Sequence, residues 1–83
     1  GAGCYYSMQY YKQAGRFSTT PQVGDQIFFY DSDGDIGHTG LVYAVSDSYV
    51  YTIEGNTSGD MCKQNIYVVG EYDIAGYGVY AGT

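Results

Sequence analysis

Apolar side chains recur with two different periods along the chain, and the change of period separates one helix from a series of strands. In residues 5–14 they recur every three or four positions, which is the spacing of one face of a helix. Gly15 follows directly and predicts the end of this helix, while Gly3 and Ser7 are both candidates for its N-terminal cap.

Beyond residue 25 the apolar segments are short and are separated by turn-forming residues, which is typical of a sheet. The predicted strands are residues 26–30, 39–45, 49–53, 66–69 and 74–80. Asp47 and Ser48 form a short link between the second and third of these, so the two strands are predicted to pair as an antiparallel hairpin. The predicted fold class is therefore α+β, with one N-terminal helix packed on a curled antiparallel sheet of about five strands.

The composition fits one small folded domain that spans residues 1–83. Hydrophobic residues make up 45% of the chain and charged residues only 14%, which is the opposite of the balance in disordered segments. The chain has no internal repeat and no sign of a second domain. Its 83 residues are enough for a single small core.

The charge balance excludes one class of partner. Nine acidic residues against three basic ones give a net charge of −6. A protein that binds nucleic acid needs the opposite balance, so no nucleic-acid partner is expected. No apolar run approaches the roughly 18 residues of a membrane span, so no membrane segment is expected either.

The predicted hairpin gathers three polar side chains at one of its ends. His38, the single histidine, precedes the first strand, and Glu54 and Asn56 follow the second. Because an antiparallel hairpin places the start of one strand beside the end of the other, these side chains are predicted to converge on one edge of the sheet. Cysteine hydrolases need such a set, in which a base takes the thiol proton and a polar group orients the base.

The two cysteines, Cys4 and Cys62, leave one disulfide or two free thiols as alternatives. Cys4 is the candidate nucleophile, since the dipole of a helix stabilises a thiolate at the helix N-terminus. If Ser7 caps the helix, however, Cys4 lies outside the reach of the dipole. Cys62 falls in the predicted loop after the hairpin and is interpreted as structural or incidental.

Three carboxylates alternate before the hairpin, at Asp31, Asp33 and Asp35, as they do in calcium-binding loops. The EF-hand pattern fails, because Ile36 and Val42 stand where it requires glycine and glutamate. A solvated turn is therefore the favoured interpretation, with calcium binding as the alternative.

Five segments, in the same order, resemble the C-terminal portion of CHAP domains, the cysteine- and histidine-dependent amidohydrolase/peptidase domains of the papain-like superfamily. The segments are residues 9–17, 21–29, 38–42, 51–57 and 74–78. They include Gly-Asp-Gln-Ile-Phe-Phe at 24–29, His-Thr-Gly-Leu-Val at 38–42 and Thr-Ile-Glu-Gly-Asn at 52–56. The resemblance runs from about residue 7 to residue 80.

The resemblance implies a helix packed on an antiparallel sheet of five or six strands, and cleavage of amide or peptide bonds in bacterial peptidoglycan. It implies that His38 is the general base, that Glu54 orients it, and that Asn56 matches a family position two residues further on. The family's nucleophilic cysteine starts a helix well upstream, and this chain lacks that segment in full. The thiol is then either on residues before Gly1 or is Cys4 in a compact version of the domain.

The predicted function is that of a cysteine amidohydrolase/peptidase that acts on cell-wall peptide and needs no organic cofactor. The resemblance implies a secreted or cell-wall-associated protein of bacterial or phage origin, similar to an endolysin. The alternative is a catalytically dead or truncated domain of the same fold. Its tyrosine-rich surface would then bind cell-wall glycan or peptide.

Overall fold

The computed structural model of the protein describes residues 2–55 and 62–80, which form one helix and six strands. The elements are α1 (Ala2–Gln13), β1 (Phe17–Ser18), β2 (Gln26–Tyr30), β3 (Ile36–Val45), β4 (Tyr49–Gly55), β5 (Cys62–Val68) and β6 (Ile74–Gly78). The strands pair antiparallel in one sheet of order β1-β6-β2-β3-β4-β5. This confirms the predicted α+β class and adds one short strand, β1, in a region predicted as a connector.

Helix α1 begins earlier than predicted and ends where predicted. Because it starts at Ala2, Cys4 lies within its first turn rather than at a cap. At the other end Gly15 has a φ of +71°, the Arg16 N–H donates to the Tyr11 carbonyl at 2.8 Å, and the Gly15 N–H donates to the Lys12 carbonyl at 3.2 Å. This is a Schellman cap, which needs a residue that tolerates positive φ. No helix in the described ranges is long and apolar enough to cross a membrane.

The sheet carries a separate apolar cluster on each of its faces. Alternation along β2 places Phe28 on the side of α1, which we call the helix face, and Phe29 on the other side, which we call the open face. The helix-face cluster contains Met8, Tyr11, Phe28 and Ile36, and the open-face cluster contains Ile27, Phe29, Val42, Val50 and Tyr77. Any functional side chain is therefore assigned to one face or the other by its register in the sheet.

Two strands extend further than their apolar pattern predicts. Strand β3 begins at Ile36 and β4 continues to Gly55, so His38 and Glu54 lie inside strands instead of flanking them. The reason is ladder pairing, since His38 pairs with Phe29 of β2 and Glu54 pairs with Lys63 of β5. Strand β5 likewise begins at Cys62, in a segment predicted as loop.

The acidic segment before β3 forms a turn that is stabilised by one of its own side chains. Asp31 Oδ1 accepts hydrogen bonds from the N–H groups of Asp33 at 2.9 Å and Asp35 at 3.1 Å. One oxygen from each of the three carboxylates lies within 4.8 Å of the others, and all three side chains are exposed. Calcium takes about six to eight oxygens, so three exposed carboxylates form at most part of a site. Calcium binding stays the less favoured alternative, and the turn itself leads the chain into β3.

Candidate active site

A β-bulge at Gly37 decides which face of the sheet carries the histidine. Phe29 pairs with His38 but Tyr30 pairs with Ile36, so Gly37 is an extra residue in β3. Ile36 therefore packs on the helix face, whereas His38 turns to the open face and stacks on the Phe29 ring, with 5.6 Å between ring centroids. Without the bulge, two residues at this spacing would share a face.

Glu54 lies on the open face of the neighbouring strand, within hydrogen-bonding distance of the histidine. The His38 Nε2 atom is 2.7 Å from Glu54 Oε1. The hairpin pattern predicts this convergence, and the structure brings the imidazole and the carboxylate together. Asn56, the third member of the predicted set, lies outside the described residues.

The carboxylate of Glu54 is held in place by two further hydrogen bonds. Thr52 Oγ1 and the Tyr67 hydroxyl both donate to Glu54 Oε2, at 2.5 Å and 2.7 Å. Burial by itself raises the pKa of the Glu54 carboxyl, but the hydrogen bonds from Thr52, Tyr67 and His38 outweigh it and hold that pKa below its ordinary value. Burial, together with the carboxylate beside it, raises the pKa of the Tyr67 hydroxyl. Tyr67 therefore stays protonated as a donor, and Glu54 stays ionised as an acceptor.

Sequence reasoning missed a glycine that makes room for this carboxylate. Gly40 is two residues from His38 on the same face, and it pairs with Ile27 of β2. A Cβ atom at Gly40 would lie 2.7 Å from Glu54 Cγ and 3.1 Å from the carbonyl oxygen of Ile53. Only glycine leaves this space free. Gly40 stands two positions after His38, and strand alternation places residues at this spacing on one face. This is the local signal that could have identified it.

Thr52 and Tyr67 were also missed, and they differ in how visible they are in the sequence. Thr52 stands two positions before Glu54, so strand periodicity places both side chains on one face. Tyr67 comes from β5, thirteen positions away, and reaches Glu54 only through the pairing of β4 with β5. No local pattern marks it among the many tyrosines of the chain.

The second ring nitrogen of the histidine has no hydrogen-bond partner in the part of the chain that the structure describes. Since the Glu54 carboxylate can only accept, Nε2 carries the shared hydrogen, and Nδ1 of the neutral ring has a lone pair. Nδ1 has no hydrogen-bond partner among residues 2–55 and 62–80. The His38 side chain is 46% exposed, whereas that of Glu54 is 7% exposed. The arrangement is an oriented base, buried on its carboxylate side and open to solvent on the other.

A cavity of about 270 Å³ adjoins the base and is lined by His38, Glu54, Gly55, Lys63 and Asn65. Another cavity, of about 290 Å³, lies beside Tyr11 and Leu41 on the helix face. Its ionisable lining residues are tyrosines only, so it offers neither a base nor a carboxylate. The cavity beside His38 is the one associated with chemistry, because it is lined by both the imidazole and the carboxylate.

Neither cysteine faces the histidine. Cys4 packs against the helix-face cluster, whereas His38 stacks on Phe29 on the open face, so the sheet lies between the Cys4 thiol and the His38 ring. Cys62 is exposed at the start of β5, and alternation turns it away from the face that Lys63 shares with Glu54. Both cysteines are free thiols. The structure thus brings together two of the predicted site residues, His38 and Glu54, and leaves Cys4 apart from them.

Comparison with known proteins identifies the family of the chain. A family model for the CHAP domain matches residues 2–56, more than half of the chain. The chain belongs to the CHAP domain family. Membership indicates a peptidoglycan-hydrolase-like function with a peptidoglycan-related substrate. No curated protein and no solved structure matches the chain. The matched region of this CHAP domain contains His38 and Glu54, whereas β5 with Tyr67 lies beyond it.

Replacing Tyr67 with phenylalanine tests whether Glu54 is held as described. Y67F removes one donor to the carboxylate, so we expect unfolding at pH 7 to cost about 1–2 kcal/mol less than in the wild type. Because the pKa of Glu54 is lowered in the folded state, its stabilising contribution is complete above the unfolded value of about 4.3 and is lost as the pH falls through the folded value. As the pH is lowered, the free energy of unfolding of Y67F should therefore fall less steeply than that of the wild type. Urea denaturation at a series of pH values measures both effects.

The matched control for this measurement is Tyr72→Phe, because the Tyr72 side chain is 87% exposed. Y72F should follow the wild-type stability at every pH. The role given to the Tyr67 hydroxyl would be contradicted if the difference in free energy of unfolding between Y67F and the wild type were the same at pH 3 as at pH 7.

Proposed function

We propose that this CHAP domain cleaves an amide or peptide bond in the peptide part of bacterial peptidoglycan by cysteine-dependent acyl transfer. We further propose that it works outside the cytoplasm, secreted or associated with the cell wall, as endolysins are. The observation that carries the proposal is the pairing of His38 Nε2 with a buried, ionised Glu54 at 2.7 Å, with Nδ1 left open.

In the proposed mechanism His38 acts as base and then as acid. Nδ1 takes the proton of a thiol, and Glu54 stabilises the imidazolium that forms and fixes the plane of the ring. The thiolate attacks the amide carbonyl, the C–N bond breaks, and the imidazolium gives its proton to the leaving amine. Water, deprotonated by Nδ1, then attacks the thioester, which releases the acid and restores the thiol.

The thiol is the part of this mechanism that the described residues do not assemble. Cys4 would have to cross the sheet to reach Nδ1, and Cys62 faces away from it. Cys4 and Cys62 are the two cysteines of residues 1–83, so the proposal requires a thiol that another segment or molecule brings to the open face. The open side of the His38 ring leaves room for such an approach.

The same observation favours a second candidate function. A CHAP domain without a thiol at its histidine is a binding module, which would hold cell-wall peptide in the cavity beside His38 without cleaving it. The two candidates make opposite predictions for turnover and the same prediction for binding.

A digestion of purified bacterial peptidoglycan separates them. We expect a protein that carries this domain together with a further cysteine at its open face to release new amino groups, measured by amine derivatisation, and iodoacetamide to abolish the release. In that protein Cys4→Ser and Cys62→Ser should both keep the activity, because these are the two cysteines of residues 1–83 and neither faces His38. Loss of cleavage in a folded C4S protein would overturn the placement of the nucleophile outside the described residues. Co-sedimentation with peptidoglycan without any release of amino groups would favour the binding module.

A further inference from the structure

The cavity beside His38 is lined by a lysine that forms no ion pair within residues 2–55 and 62–80. Lys63 of β5 is the register partner of Glu54, so both side chains lie on the open face. Lys63 lines the cavity together with His38 and Asn65, and it is exposed. Its side chain is thus accessible to a ligand that occupies the cavity.

The carboxylate nearest in the register does not neutralise this ammonium group. Glu54 Oε1 is engaged by His38, and Oε2 accepts from Thr52 and Tyr67. Within residues 2–55 and 62–80, the one ion pair is that of His38 with Glu54. Lys63 therefore forms no ion pair with the described part of the chain.

Lys63 also stands out from the charge distribution of the protein. The chain has only three basic residues against nine acidic ones. Lys12 lies over the Phe17 ring at 5.0 Å, and Arg16 directly follows the cap of α1, so neither lines the cavity. A net charge of −6 repels anionic ligands at long range, so a cation at the cavity that has no ion-pair partner among the described residues is a selective feature.

We propose that Lys63 is a specificity residue that binds a free carboxylate of the substrate peptide beside the scissile amide. This inference rests on the proposed function. Peptidoglycan peptides carry free carboxylates, and an ammonium group in a partly enclosed cavity binds a carboxylate through a charge-assisted hydrogen bond. Asn65, which shares the cavity, offers a carboxamide that can donate to and accept from the peptide backbone. The cavity thus combines a base, a cation and an amide along one side of the substrate.

The test uses two synthetic stem tetrapeptides that differ only in charge. One has its free α-carboxylates, and in the other these are converted to carboxamides of the same shape. We expect the wild type to bind the carboxylate form about tenfold more tightly, as judged by Kd from NMR titration and by KM where turnover occurs. Lys63→Gln should reduce the preference to within about twofold, and Lys63→Arg should retain most of it. Lys12→Gln, which removes a lysine outside the cavity, should leave the preference unchanged.

The outcomes separate this inference from the function on which it rests. Cleavage of both peptides with equal KM by the wild type would overturn the role of Lys63 and leave the hydrolase proposal standing. A carboxylate preference in Kd that disappears in K63Q, without turnover of either peptide by a protein that also carries the thiol, would support the role of Lys63 and overturn hydrolysis. A preference that survives in K63Q would assign carboxylate recognition to another group and overturn the inference.

Discussion

His38→Ala is expected to lower kcat/KM for peptidoglycan cleavage by roughly a thousandfold, because general base catalysis by a positioned histidine contributes about 10²–10⁴ in rate. In this CHAP domain the histidine is also the single one in the chain, so no other imidazole can replace it. The measurement is release of amino groups from purified peptidoglycan, at equal concentration, by the protein that carries this domain together with the thiol. Circular dichroism and urea denaturation should show that the variant is folded.

Two companion variants make the His38 result specific. Glu54→Gln keeps the size of the side chain but removes the charge that stabilises an imidazolium, so we expect an intermediate loss of about 10- to 100-fold. Lys12→Ala changes a side chain on the helix face and should keep full activity. An H38A protein that is folded and retains more than a tenth of the wild-type rate would contradict the assignment of the base.

Gly40→Ala is expected to have the second-largest effect, and it acts on stability and activity together. The new methyl group would lie 2.7 Å from Glu54 Cγ and 3.1 Å from the Ile53 carbonyl oxygen, so β4 or the Glu54 side chain must move. Overpacking of this kind costs about 1–3 kcal/mol. Displacing Glu54 also misaligns His38, so we expect a loss of at least tenfold in kcat/KM. Urea denaturation and the peptidoglycan assay measure the two effects.

The matched control for Gly40 is another strand glycine, Gly55. An added Cβ at Gly55 meets nothing within 4 Å, so G55A should leave the free energy of unfolding within about 0.5 kcal/mol of the wild type. Equal stability and activity for G40A and the wild type would show that Glu54 does not depend on the space at Gly40.

Local sequence patterns predict the part of this fold that depends on neighbours in the chain. Strand β2 is predicted at its observed bounds, because an apolar run between turn residues is a local signal. The end of α1 is predicted for the same reason, since Gly15 alone supplies the positive φ of the cap. The hairpin of β3 and β4 has a link of few residues, so its pairing also follows from adjacent sequence.

The extent of the strands and the choice of face could not be predicted in this way. Extension of β3 back to Ile36 and of β4 on to Gly55 depends on pairing with β2 and β5, which lie on either side of the hairpin in the sheet. The face of His38 depends on the bulge at Gly37, because a shift of one residue in register reverses the direction of a side chain.

For the candidate site, the sequence by itself determined that an imidazole and a carboxylate meet, because both are tied to one short hairpin. Only the tertiary structure decided what surrounds them: the hydroxyl of Tyr67, the ammonium group of Lys63, and the position of Cys4 on the helix face. These positions follow from the pairing of β5 with β4 and the packing of α1 on the sheet. Such contacts join segments far apart in the chain, and the periodicity of the local sequence does not predict them.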